Sequence, residues 1–305
     1  WTTCGGQALQ IVAATPLLFA ALGELVVEKS GVLNLGVEGL MLTGAVCGFA
    51  AGYSSGSLTV GVVGGAVAGA ALAALFGLLV LFLMTNQVAT GLALTLFGVG
   101  LSALIGQDYV GIPLSKAGEV RIPVLADLPI LGPALFDHDV LVYLGLAAVP
   151  AVAWFLYGTR AGLVLRAVGE NHAAAHALGY KVLRIRFLAI LFGGAMSGIA
   201  GAYLSLMYTP MWAENMTAGR GWIALALVVF ATWRPGRVLL GAWLFGGVTI
   251  VQLHVQGLGF AVPSQLLSML PYLATVVVLV AISRDVTRIR LNAPASLGKV
   301  FHPDA

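Results

Sequence analysis

Charge is what this chain has least of. Asp, Glu, Lys and Arg together make up 9% of its 305 residues, against about 25% in a soluble domain. That shortage excludes an ordinary soluble enzyme, a disordered chain and a nucleic-acid binder, because none of these could cover its surface with so few polar groups. Cysteine is nearly absent as well. Cys4 lies in a polar end and Cys47 in an apolar stretch, so no structural disulfide is expected. No basic segment precedes an apolar run at the start, so no cleavable secretory signal is read there. The phosphate-cradling pattern G-x-x-x-x-G-K-[ST] is missing too: the one Gly-Lys pair, Gly298-Lys299, runs on into Val300. The chain is therefore expected to have no nucleotide-hydrolysing site and no cofactor of its own. His172 and His176 stand four residues apart with no third ligand beside them in sequence, and a polar helix face is the expectation there rather than a metal site.

What the chain has instead is apolar length. Hydrophobic residues reach 60% and the mean hydropathy is +1.00. A helix crossing about 30 Å of hydrocarbon takes roughly 20 apolar residues, and nine runs qualify: 8–26, 33–52, 60–83, 87–106, 140–157, 186–208, 219–233, 237–255 and 267–283. They are continuous rather than alternating, which selects helices over a barrel. The fold class is all-α integral membrane, a polytopic bundle of about 9–10 transmembrane helices, ten if a further helix precedes residue 1. Residues 1–305 read as a single transmembrane domain.

The basic residues orient it. If the loop 158–185 is cytoplasmic, Lys29, Arg160, Arg166, Lys181, Arg184, Arg186, Arg234, Arg237, Arg284, Arg288, Arg290 and Lys299 fall inside, and only Lys116, Arg121 and Arg220 outside. The N-terminus is then outside, the C-terminus cytoplasmic, and the proline-bearing loop 107–139 external. Glycines spaced by four (Gly44, Gly48 and Gly52; Gly61, Gly65 and Gly69; Gly194 and Gly198) predict close helix packing. Trp212, Trp222, Trp233 and Tyr157 lie near span ends and are expected to anchor at the membrane surface. Asn215-Met216-Thr217 matches a glycosylation sequon, which has meaning only in a eukaryotic secretory setting.

Three polar features interrupt the apolar runs. Glu24 and Glu38 place ionisable groups in or near the membrane, where a charge costs at least ~2.5–3.5 kcal/mol and faces the bundle interior or water. Gly36 and Gly39 flank Glu38 and weaken the helix, so Glu24 and Glu38 each read either as a pathway or gate element or as an interhelical hydrogen bond that locks helices one and two. Asn86 and Gln87, with Thr85 and Thr90, open the fourth span; they suit a polar solute or a helix cap. Residues 170–178 are small and helix-favouring, with Gly179 placed to stop the helix; their alanine-rich face suits a groove on a partner.

Three blocks carry a family resemblance. They are Gly31 to Leu42 with Gly44-Ala45, Arg166 to Gly179, and Gly219 to Ala226 with Trp233-Arg234-Pro235; Gln87 to Phe97 also fits. The chain resembles permease subunits of bacterial ATP-binding-cassette (ABC) importers, in the branch for simple sugars and nucleosides, related to ribose and branched-chain amino acid permeases. The resemblance implies a bundle similar to the ribose and vitamin B12 importer permeases, in the bacterial plasma (inner) membrane. It also implies a non-enzymatic transporter subunit forming half of an alternating-access pathway for nucleosides or related purine or simple-sugar solutes. The implied partners are a cytoplasmic ABC ATPase that holds ATP and Mg, a second permease subunit, a different but related chain, and an extracytoplasmic solute-binding protein. Glu170, Ala174 and Gly179 match the loop that couples to the ATPase, although Asn171 and His172 stretch the pattern; Asn34 and Glu38 match the polar start of the second helix, near the pathway. The alternative function is a secondary transporter driven by an ion gradient with Glu38 as its coupling site.

Overall fold

The computed structural model describes residues 3–114, 120–121, 137–257, 266, 269–283 and 292–302. Most of the expected outer loop lies outside them, Lys116 included. Eleven helices are described: α1 (Thr3–Lys29), α2 (Val37–Ser55), α3 (Leu58–Gly77), α4 (Gln87–Gly106), α5 (Val140–Gly158), α6 (Arg160–Glu170), α7 (His172–Ala177), α8 (Val182–Tyr203), α9 (Arg220–Phe230), α10 (Pro235–Gly257) and α11 (Leu270–Ser283). Short π-helical turns, Leu78–Phe82 and Leu204–Tyr208, continue α3 and α8. A two-residue antiparallel pair, Val120–Arg121 with Asp137–His138, is the one sheet among the described residues.

Each of the nine expected runs holds a helix. Among the described residues six are long and apolar enough to cross a bilayer unaided: Leu9–Lys29, Leu58–Phe82, Gln87–Tyr109, Val140–Gly158, Val182–Tyr208 and Pro235–Gln256. The other three depart from the simple rule. Among the described residues α9 has 11 and α11 has 14, too few at 1.5 Å per residue to reach across about 30 Å. α2 starts at Val37 rather than near residue 33, and 13 of its 19 residues are buried. A helix walled in by other helices needs no lipid-facing apolarity, which is how α2 accommodates Glu38 and several glycines.

α1, α2 and α8 form the centre, with α3, α9 and α10 packed around them. Glycine lets the central backbones touch. A Cβ on Gly44 would stand 2.4 Å from the Gly198 carbonyl oxygen, one on Gly198 2.1 Å from that of Gly65, and one on Gly69 2.2 Å from that of Gly194. These obstacles are backbone atoms and cannot rotate away, so the glycine spacing marks the α2–α3–α8 seam. We expect Gly198→Ala to cost about 2 kcal/mol or more by overpacking and to lower the melting temperature of the detergent-purified protein by about 5 °C or more. An unchanged melting curve would mean that the seam relaxes freely.

Outward-facing apolar side chains cover the periphery. Val63, Val67, Leu96, Leu104, Leu144 and Trp154 are more than half exposed; in water they would form an aggregating surface, whereas lipid chains match them. Two of the expected interfacial anchors are elsewhere. Trp212 and Trp233 are buried at 3% and 4% exposure, while Tyr157 is exposed. Trp212 fills the space beside Gly106, and Trp233 binds a carboxylate inside the bundle.

Candidate functional site: a broken span and a basic platform

Between α1 and α2 the chain is not helical. Gly31 turns at φ 89°, Val32–Asn34 have no regular structure, and Leu35–Gly36 turn into α2. Backbone groups so placed must find partners inside the protein, and polar side chains supply them. The Leu33 N–H donates to Gln87 Oε1 at 2.8 Å, and the Asn34 N–H to Glu24 Oε1 at 3.2 Å. The Asn34 Oδ1 accepts from the Gly36 N–H at 2.8 Å, and the Leu35 carbonyl accepts from Thr95 Oγ1 at 3.1 Å. Asn34 and Gln87 are thereby committed to holding the backbone. Asn86 is an N-cap, its Oδ1 accepting from the Ala89 N–H at 3.0 Å, which is the capping alternative of the sequence reading.

Glu38 sits in the first turn of α2, 4% exposed. Its Oε1 accepts from Thr217 Oγ1 and from the Gly219 N–H, and its Oε2 from the Gly221 N–H at 2.6 Å. Gly219 is the N-cap of α9 at φ 81°, a backbone conformation that glycine adopts without penalty. The carboxylate thus closes the start of α9 on its positive end, at the same point where α2 begins. One face of Gly221 lies directly against Glu38: a Cβ there would be 2.5 Å from the Glu38 Cα. The lock joins α2 to α9 rather than to α1. Thr217, the last residue of the sequon, spends its hydroxyl on it.

From this junction α9 runs about 16 Å along its axis, at 1.5 Å per residue, toward Trp233. There the indole Nε1–H donates to Glu28 Oε2. Glu28, 1% exposed, was not legible as a partner in the sequence. This end of the bundle also gathers Lys29, Arg166, Arg186 and the chain's last described segment, 292–302, and we refer to it as the basic end.

The platform there is α6 and α7. Thr159 caps α6, accepting from the Gly162 N–H at 3.0 Å; Asn171 ends α6 and caps α7, accepting from the Ala174 N–H at 3.0 Å. The helix expected over residues 170–178 is α7, and a second helix, α6, precedes it with Asn171 between the two. Glu170 is the last residue of α6, and Ser296 binds its carbonyl. Ala174 lies in the exposed face of α7, and Gly179 terminates it at φ 87° with its N–H on the His176 carbonyl. Below α7, Ala175 packs with Val168, Val182 and Phe301. Ala173, Ala174 and Ala177 are uncovered, and Leu178 is 77% exposed. The imidazoles of His172 and His176 meet the Phe301 ring edge-on at 5.3 Å, and among the described residues no group of three or more His, Cys, Asp or Glu side chains could hold a metal ion.

Residues 8–281 match a family model described as branched-chain amino acid transport system / permease component. TsgC13 of Haloferax volcanii, an ABC transporter permease protein whose name assigns it provisionally to glucose, is 41% identical over 94% of each chain. The nucleoside ABC transporter permease protein NupC of Lactococcus lactis is 30% identical, over 88% of this chain and 89% of its own. The guanosine ABC transporter permease protein NupQ of Bacillus subtilis is 28% identical over the same shares. With a multi-pass helical bundle and a match over nearly its whole length, the chain belongs to the branched-chain amino acid transport system / permease component family of ABC transporter permeases.

Proposed function

We propose that the chain is one membrane-spanning half of an importer for a solute built on a sugar ring, a nucleoside or a simple sugar, driven by ATP hydrolysis on a partner subunit. The single observation that carries the reading is α7. It is short, capped at both ends and supported from beneath, yet its alanine face and Leu178 are bare at the end of the bundle where the basic residues collect. A small apolar helix rimmed by basic residues fits a groove on a cytoplasmic ATPase. By the distribution of Lys and Arg that end is cytoplasmic, which puts the C-terminus inside and the loop 107–139 outside, where a solute-binding protein delivers its cargo. The sugar ring is the chemistry common to the names of the relatives. A second permease completes the pathway, and the bound ATP and Mg stay with the ATPase. Glu38, with three donors on its two oxygens, offers poor access to a travelling cation, which speaks against the ion-gradient alternative.

The test is purification of the chain from its native membrane in mild detergent, followed by calorimetry on any copurifying binding protein with guanosine, adenosine, glucose and ribose. An ATPase, a second permease and a binding protein that takes one of these are expected. A chain that isolates alone and transports in liposomes on an ion gradient would overturn the reading.

A further inference from the structure

Arg186 is a fully buried cation near the start of α8, 0% exposed, and three separate segments meet on it. Its Nε–H donates to the Ser30 carbonyl, at the head of the broken span, at 3.2 Å. Its Nη1 donates to the Lys299 carbonyl at 3.2 Å. Its Nη2 lies 3.2 Å from Nδ1 of His172, the first residue of α7. A guanidinium has only donors, so His172 Nδ1 is the acceptor and its ring proton sits on Nε2.

The same acceptors tie onward. The Lys299 carbonyl also takes the Gln87 amide at 3.4 Å, and Gln87 holds the Leu33 N–H. The Gly298 N–H donates to the Gly31 carbonyl, Lys29 Nζ to the Asn292 carbonyl, and the Ser296 N–H to the Gly169 carbonyl. Residues 292–302 are thus strapped across the ends of α1, α4 and α6, with Phe301 beneath α7. The fit is tight: a Cβ on Gly31 would stand 2.8 Å from Arg186 Nη2.

Pulling one acceptor from a buried guanidinium exposes an undercompensated charge to a low-dielectric interior. Separating these segments is therefore costlier than displacing them together. We propose that Arg186, through its bond to His172, is the positioning residue that makes α7, the broken span 30–36 and the C-terminal strap move as one body, carrying displacement of α7 to the starts of α2 and α4. The inference rests on the reading of α7 as the ATPase contact.

It also sets a pH dependence. Protonating His172 at Nδ1 removes the acceptor and puts two cations face to face. Burial of the ring, then Arg186 from α8 and Lys299 and His302 from the strap, push its pKa below the ordinary 6.5; His176 is the other titratable group on α7. The link is intact while the imidazole is neutral and is lost as pH falls through that lowered pKa.

The experiment uses the whole complex in nanodiscs, on a background of Cys4→Ser and Cys47→Ser. Spin labels at Ser54 and Leu144, at the ends of α2 and α5 remote from α7, report the distance between nucleotide-free and ATP–vanadate-trapped states. Wild type is expected to show a nucleotide-dependent shift at about pH 8 and to lose it as the pH is lowered stepwise, with a midpoint below the ordinary histidine value of 6.5. His172→Phe keeps a ring against Phe301 without an acceptor; it should assemble and hydrolyse ATP but lose the shift. His172→Asn restores an acceptor near the Nδ1 position that does not titrate; it should keep the shift throughout the same pH series. A normal shift in His172→Phe, or none in a folded His172→Asn, overturns the inference alone. A wild-type complex that binds no ATPase or shows no shift overturns the docking reading beneath it.

Discussion

Replacing Glu38 by Gln should remove assembled protein and transport activity in equal proportion. Both Glu38 oxygens are acceptors, and three donors converge on them. An amide offers one acceptor oxygen and a nitrogen that can only donate. If its oxygen keeps Thr217 and Gly219, its nitrogen faces the Gly221 N–H, and a buried donor is stranded at a cost of about 1–3 kcal/mol. The start of α9 also loses a negative partner, worth up to ~2 kcal/mol in a buried setting. A total of about 1–5 kcal/mol is a large share of the 5–15 kcal/mol that holds an ordinary domain together. Monodisperse yield on size-exclusion chromatography and uptake per cell, measured in parallel, decide the matter. If uptake collapses while yield holds, Glu38 touches the travelling solute and the lock is incidental. Thr217→Val is a milder companion, since it deletes one donor and strands nothing on the backbone, and a loss of about 1 kcal/mol is expected from it.

Glu38 also shows which parts of this molecule its sequence could disclose. Lipid makes apolar length conspicuous, and all nine runs hold helices for that reason. A weakening around Glu38, between Gly36 and Gly39, was expected; the break lies just ahead of it, at residues 30–36, and Gly39 is inside α2. The partners of Glu38 were not legible. Thr217, Gly219 and Gly221 lie about 180 positions away, and local spacing carries no information about a contact of that range. Trp233 obeyed the pattern of an interfacial aromatic and turned out to serve Glu28 in the interior, because a buried carboxylate outweighs a preference for the membrane surface. Arg186 entered the sequence reading only as one of twelve positive charges on one side, yet it is among the largest fully buried side chains. The residues that hold it, Ser30, His172 and Lys299, come from three regions, two of them offering only a backbone carbonyl, which any residue has. Asn86 and Gln87 were ambiguous between solute contacts and a helix cap, and the structure gives each of them, like Asn34, a backbone N–H to hold.

Ala174→Arg should do the opposite of Glu38→Gln: leave the bundle intact and disconnect it from its energy source. The Ala174 N–H is committed to the Asn171 cap, but its side chain lies in the exposed face of α7, away from the packing of Ala175 on Val168, Val182 and Phe301. A surface substitution of this kind changes stability by about 0.5 kcal/mol or less, and arginine is a good helix former. The melting curve of the purified permease should not move. Seated in a groove on the ATPase, however, a long cation stands where a methyl group was, and truncating or blocking a central contact of an interface costs 2 kcal/mol or more, roughly 30-fold in affinity. Uptake should fall at least tenfold, and less ATPase should copurify, while the folded permease is recovered in full. Ala173→Arg on the same exposed face should behave alike, and a charge on the far side of the platform, at Arg160→Glu, should leave docking unchanged. Normal copurification and uptake in Ala174→Arg would place the ATPase elsewhere on the basic end, with Leu178, the most exposed large apolar side chain of this platform, as the next residue to change.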